Sequence, residues 1–137
     1  VTKTNSRLKP KIKRLKLKLN KFEGSSRIAG KQVDIILTDD SCISQLAGQY
    51  RGSFAPTDVL AFFYGTDEIS KSAPVGDIVI SLDTALRQSR ERRMSLDDEL
   101  LLLSLHGLLH LDGQGDETPK DWCDMRKKEF KNMMRLL

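Results

Sequence analysis

The stretch His106-Gly107-Leu108-Leu109-His110-Leu111-Asp112-Gly113-Gln114-Gly115-Asp116 decides how this chain is read. His106 and His110 are its only two histidines. They stand four residues apart, so on a helix they share a face, with Cβ atoms about 5–6 Å apart. Two imidazoles at that separation can reach one cation. Gly113 lets the chain turn sharply after the second histidine. The turn then brings Asp116 back over the helix end. Three protein ligands leave a fourth position for water, which marks a catalytic zinc-type site and not a structural one. The same pair of histidines also suits plain hydrogen bonding on a helix; the glycine turn and the carboxylate after it shift the reading toward metal. Zinc proteases with such a helix carry Glu directly after the first histidine as general base. Here that residue is Gly107, which transfers no proton, and this counts against peptide hydrolysis by that route.

Upstream, Ser95 with Asp98 three residues later is a capping-box signature that starts this helix. Leu96, Leu100, Leu101, Leu103, Leu108 and Leu109 give it a broad apolar face, and Gly113 and Gly115 stop it. It is therefore the core element. Three β-branched or apolar runs read as strands: Val33 to Thr38, Val59 to Phe63 and Asp77 to Leu82. The second is apolar throughout and reads as buried on both faces. Asp39, Asp40 and Ser41 offer caps for a short helix ending near Gly48. Tyr50 to Thr57 reads as irregular. Ser81 or Asp83 caps another helix, running to about Arg93. Pro119 opens the final helix, with Trp122, Met125, Phe130, Met133 and Leu137 inward. Near the start, Leu8, Ile12, Leu15, Leu19 and Phe22 draw an apolar stripe on a helix beginning near Pro10. The alternation at Leu15, Leu17 and Leu19 also suits a strand; the longer pattern favours the helix.

The 137 residues are 39% hydrophobic and 31% charged, which suits one compact domain over residues 1–137 and excludes a disordered chain. No apolar run approaches the length that crosses a bilayer. Two cysteines, Cys42 and Cys123, cannot make a disulfide framework and fit a reducing compartment. Cys123 could add a fourth soft ligand, but a buried thiol is the better reading. The net charge of +4 hides an asymmetry: residues 1–21 hold nine basic residues and no acid, so the rest carries −5. Residues 1–22 thus form a basic N-terminal segment. Its lysines suit phosphates and give sequence-blind, salt-dependent affinity, or they form a solvated helix face. Arg87, Arg90, Arg92 and Arg93 form a second basic cluster. Aromatic residues, at 6%, offer few stacking platforms for bases.

His106-Gly107-Leu108-Leu109-His110-Leu111-x-Gly113 resembles the signature of the YbeY family of metal-dependent endoribonucleases, His-Gly-x-Leu-His-Leu-x-Gly-Tyr-Asp-His. Tyr50-Arg51-Gly52 and Pro56-Thr57-Asp58-Val59-Leu60-Ala61-Phe62 resemble that family's Tyr-Arg-Gly and Pro-Thr-Asp-Val-Leu-Ser-Phe. Gly76-Asp77-Ile78-Val79-Ile80 resembles its Gly-Asp-Ile-Val-Ile strand, and Leu37-Thr38-Asp39-Asp40 also fits. Order and spacing agree from about Val33 to Asp116. The resemblance implies a zincin-like α+β fold, with a mixed sheet of about four strands packed with helices around a central metal-binding helix. It implies one bound Zn2+ or another divalent transition metal. It further implies single-strand RNA cleavage in ribosomal RNA maturation and ribosome quality control, with ribosomal RNA and the small ribosomal subunit as partners, in the cytoplasm and without membrane.

In the family's third ligand slot, where it has His, this chain has Asp116; a one-residue slip would place Glu117 there instead. The unslipped register keeps the spacing from His110 and favours Asp116. Two histidines and a carboxylate are a known catalytic set. The carboxylate lowers the site's net charge, so the resemblance with this departure implies a weaker nuclease than a three-His relative, or a preference for an ion such as manganese or iron. Arg51, matching the family's arginine, is the residue expected to stabilise charge on the scissile phosphate. Asp58 reads as a structural hydrogen-bonding group. Two other functions stay open: a non-catalytic RNA- or ribosome-binding relative, and a hydrolase of the same fold with another substrate.

Overall fold

A computed structural model describes residues 12–52, 57–65 and 73–137, with Arg51 described by its backbone alone. Pro10, Pro56, Lys3, Arg7, Lys9 and Lys11 lie outside the described residues, as does most of the loop between Gly65 and Pro74. The elements run α1 (Ile12–Leu19), β1 (Val33–Thr38), α2 (Asp40–Arg51), β2 (Val59–Phe63), β3 (Gly76–Ser81), α3 (Leu82–Glu91), α4 (Leu96–Leu111) and α5 (Pro119–Leu136). This is an α+β fold. The described strands form a three-stranded mixed sheet in the order β1-β3-β2, where the resemblance implies about four. β1 pairs with β3 in parallel, and β2 pairs with it antiparallel.

Side-chain alternation along β3 sorts the core into two layers. Ile78 and Ile80 point to α4 and join Val59, Leu100, Leu101, Leu105, Leu108 and Leu111 in one cluster. Val79 points the other way and packs with Leu60, Ile43 and Ala47, which holds α2 on the opposite face. β2 is an edge strand buried on both faces at Val59 and Leu60, which is 2% exposed, and it opens only at its end, where Phe63 is 36% exposed. α4 is apolar nearly all round because the sheet, α1, α3 and α5 all pack against it. Its start is the expected one, with Ser95 accepting from the Asp98 backbone N–H at 3.1 Å. Ser81, and not Asp83, caps α3 by accepting from the Thr84 N–H at 3.2 Å.

Gly107 is where α4 meets the sheet. A Cβ there would lie 2.7 Å from the Ile78 Cγ2. The glycine in the His-Gly pair is thus a packing requirement: only a residue without a side chain lets the metal-site helix approach β3 this closely.

Two segments depart from the sequence reading. α2 runs through Gly48, Tyr50 and Arg51 and ends at Gly52, whose φ of +70° is the left-handed cap. In α5, Met125, Met133 and Leu136 are buried, but Trp122 is 51% exposed, Phe130 69% and Leu137 60%. The inward stripe of α5 passes through Glu129 instead.

Candidate metal centre

His106 and His110 project from the last two turns of α4 with both rings partly buried. Their Nε2 atoms face each other at 2.9 Å. The rings stand nearly perpendicular, with centroids 4.5 Å apart. After α4 the chain turns at Gly113, whose φ is +99°. The loop it opens returns Asp116, and its Oδ2 lies 3.3 Å from His110 Nε2 and 3.6 Å from His106 Nε2. Among the described residues, His106, His110 and Asp116 form a group able to hold a metal ion. Glu117 is exposed and outside it, and so is Cys123, which is an exposed free thiol and not a buried one.

The loop is tied to α5. Gln114 Nε2 donates to the Asp121 carbonyl at 3.2 Å, and Lys128 Nζ donates to Gln114 Oε1 at 2.6 Å. Thr118 caps α5 by accepting from the Asp121 N–H at 3.1 Å. These bonds set how far Asp116 reaches over the helix end.

The site contains a residue that sequence reasoning missed. His106 Nδ1 lies 2.6 Å from the Glu129 carboxylate on α5, whose other oxygen accepts from Arg126 Nη1 at 2.7 Å. Glu129 is only 4% exposed. An imidazole that donates from Nδ1 to a carboxylate leaves the lone pair of Nε2 free, the arrangement found behind metal-bound histidines. Burial, reinforced by the neighbouring His106, holds His110 below its ordinary pKa; Asp116 opposes the shift without cancelling it. His110 therefore stays neutral to lower pH than a free imidazole, and neutral imidazole is the ligating form.

Two imidazole nitrogens 2.9 Å apart beside a carboxylate are a donor set that fits a divalent transition ion.

Of the other residues singled out by the sequence, Arg51 closes α2, and its side chain lies outside the description. Asp58 has a structural contact, accepting from Gln88 Nε2 at 3.2 Å. Half of the second basic cluster is engaged: Arg87 pairs with Asp40 at 3.0 Å and Arg92 with Glu99 at 3.3 Å. A cleft of about 960 Å³ opens between α1, the segment after it and β1. It takes in Leu108 on the far side of α4 and none of the three metal-site residues.

An α+β fold whose central helix presents two histidines, completed by a carboxylate beyond a glycine turn, defines a metal-dependent hydrolase class. Comparison with known proteins makes this specific. The family model described as Endoribonuclease YbeY matches residues 2–137. The Endoribonuclease YbeY of Nautilia profundicola is 44% identical over 109 residues, covering 80% of this chain and 75% of that protein. The Aquifex aeolicus Endoribonuclease YbeY is 36% identical over 143 aligned positions, covering 96% and 95%. The solution structure of TM1509 from Thermotoga maritima superposes with a TM-score of 0.62 at 29% identity, over 98% of this chain and 85% of that one. The chain belongs to the YbeY endoribonuclease family, whose members are metal-dependent hydrolases acting in ribosomal RNA maturation.

Proposed function

We propose that this protein is a single-strand-specific endoribonuclease that uses one zinc ion held by His106, His110 and Asp116. The observation that carries the reading is the convergence of both Nε2 atoms and the Asp116 carboxylate, with His106 fixed from behind by Glu129. When bound, a divalent ion supplies Lewis acidity toward a phosphodiester and acidifies a coordinated water. The remaining work falls to the chain's own groups. Glu129 orients His106 and keeps its proton on Nδ1. Asp116 closes the site and lowers its net charge. Arg51, whose backbone ends α2, is the candidate to bind the scissile phosphate and stabilise charge developing on it.

Ribosomal RNA is the proposed substrate and the small ribosomal subunit the proposed partner, in the cytoplasm. Family membership and the basic flank of α1, where Lys13, Arg14 and Lys16 are exposed, support this. Among the described residues no helix is long and apolar enough to cross a membrane.

A second reading, a non-catalytic RNA-binding relative, is favoured by one feature: Asp116 stands where the family pattern has His. One experiment separates the two. Cleavage of single-stranded RNA is measured with and without chelator, alongside metal content and a His106→Ala variant. The nuclease reading expects cleavage that both treatments abolish. Metal and RNA binding with no cleavage supports the second reading. Cleavage that survives both treatments rejects the assignment of this site.

A further inference from the structure

The end of α4 carries a second built feature that the metal site does not use. The Arg27 guanidinium carbon sits 3.9 Å from the centroid of the Phe63 ring. Both residues are exposed, with Phe63 at 36%. Three contacts fix this pair next to the metal-site helix. Asp112, the residue that ends α4, accepts from the Ser25 N–H at 3.0 Å and from Ser25 Oγ at 2.5 Å. The Ser25 hydroxyl in turn accepts from the Arg27 N–H at 3.3 Å, so the turn carrying Arg27 is clasped to a residue two positions beyond His110. On the other side, Phe63 pairs with Gly76 in the sheet. A Cβ at Gly76 would lie 3.0 Å from a Leu111 methyl, so Leu111 occupies that side of the strand.

The sheet's alternation places the Phe63 side chain on the α4 face, together with Val59 and Ala61. The other aromatics near β2 belong to the opposite face. Phe62 packs against Tyr50 with centroids 4.8 Å apart, and the Tyr64 hydroxyl donates to Asp77 at 2.6 Å, which raises the Tyr64 pKa to about 12. Of these aromatics, Phe63 alone combines exposure, a stacked cation and the α4 face of the sheet.

We propose that Phe63 and Arg27 form a stacking subsite for an unpaired base of the RNA substrate. This deepens the nuclease reading and rests on it. Single-stranded RNA is bound by stacking bases on aromatic rings and on guanidinium planes. A guanidinium held against a ring offers both surfaces, plus a positive charge for the adjoining phosphate. A paired base has its faces occupied by its neighbours in the duplex, so the subsite selects single strands by physical access. The subsite lies at the C-terminal end of α4, the helix that carries His106 and His110.

The test uses the metal-loaded full chain and a single-stranded RNA of about ten nucleotides carrying 2-aminopurine, whose fluorescence reports stacking. Phe63→Leu is expected to weaken RNA binding and raise KM about tenfold, with kcat changed less than about twofold. Metal content and affinity for duplex RNA are expected to stay the same. Phe63→Trp is expected to restore affinity, and Arg27→Gln, a change at an exposed position, to lower it. Native-like affinity in both Phe63→Leu and Arg27→Gln, with cleavage intact, overturns the subsite and leaves the nuclease reading standing. Failure of Trp to restore affinity assigns Phe63 a packing role and also overturns it. A native chain that binds RNA without cleaving it still allows the affinity comparison. A native chain that binds no RNA overturns both.

Discussion

Glu129, buried on α5, meets His106 Nδ1 at 2.6 Å and so determines which nitrogen of that ring faces His110 and Asp116. The contact crosses from one helix to another, which makes the metal centre depend on how α5 docks. Removing an outer partner of a ligating histidine typically costs 10–100-fold in metal affinity, so Glu129→Leu is expected to lose about that much. Glu129→Gln keeps an acceptor for the Nδ1 proton and should lose less. Competition with a chelating dye measures both. Equal affinity in native and Glu129→Leu protein rejects the orienting role.

Asp116 changes the charge of the site relative to a three-His relative. With His106 and His110 neutral, its carboxylate lowers the net charge on a bound divalent ion from +2 to +1. A less positive centre acidifies water less and attracts phosphate less. Asp116→His is therefore expected to cleave single-stranded RNA faster than the native chain at neutral pH. Rates are compared per bound ion. Equal rates at equal metal content reject the electrostatic argument.

His110 gives a pH dependence whose sign follows from its environment. Burial, then His106, holds its folded pKa below the ordinary imidazole value of 6.5. As pH falls through that value the unfolded chain takes up a proton first, and linkage then lowers native stability. The loss starts near pH 6.5 and ends once the folded form also protonates. In metal-free protein, the Tm of the native chain is expected to fall more between pH 7.5 and 5.5 than that of His110→Gln, by about a few degrees at most. Parallel Tm profiles contradict the shift.

Much of this was legible in the sequence, for local reasons. The β-branched or apolar runs mark the three described strands, the Ser95 cap marks the start of α4, and the His-x-x-x-His spacing with Gly113 brings Asp116 to the rings. What escaped depended on tertiary contacts. Glu129 lies on the spacing Met125, Glu129, Met133, so an acid sits in an otherwise apolar stripe. The sequence reading places Trp122 and Phe130 inward on their apolar character, whereas the face that packs is the one through Met125, Glu129 and Met133. The contact with His106, which no local pattern reveals, is what accommodates the carboxylate there. In α2, Gly48 looked like a stop, but Gly52 takes the left-handed conformation. The apolar run of β2 marks a strand covered on both faces at Val59 and Leu60, but composition does not reveal that its Phe63 end opens at the sheet edge.

Gly107 ties packing to function. A methyl group there would meet Ile78 Cγ2 at 2.7 Å, well inside contact distance, so α4 or β3 must shift. Overpacking of this kind costs about 1–3 kcal/mol. Gly107→Ala is expected to lower Tm by about 4–10 °C for a chain of this size. It should also weaken metal binding, since His106 and His110 move with the helix. Adding Ile78→Val removes one of the crowding carbons and should recover part of both losses. Thermal melts and metal titration on the single and double variants check this, and a double variant no better than Gly107→Ala contradicts the contact.

Glu99 lies on the same helix two turns before His106 and is fully buried. Among the described residues neither of its oxygens accepts a hydrogen bond, and Arg92 Nη1 approaches at 3.3 Å as an ion pair only. Burial pushes its pKa above the ordinary 4.5; Arg92 opposes the rise and Asp58 adds to it. The native state therefore holds a proton that the unfolded chain releases first. The contribution to stability is full below pH 4.5 and is lost as pH rises through the folded value. Glu99→Gln stays neutral throughout, and Arg92, itself partly exposed, can regain water. The variant is expected to match the native chain near pH 4.5 and to exceed its stability at pH 8 by about 1 kcal/mol, a Tm gain of about 3–5 °C. Melts of both proteins across that range decide it. A variant less stable than the native chain at pH 8 makes the Arg92 pair net stabilising and reverses the sign argued from burial.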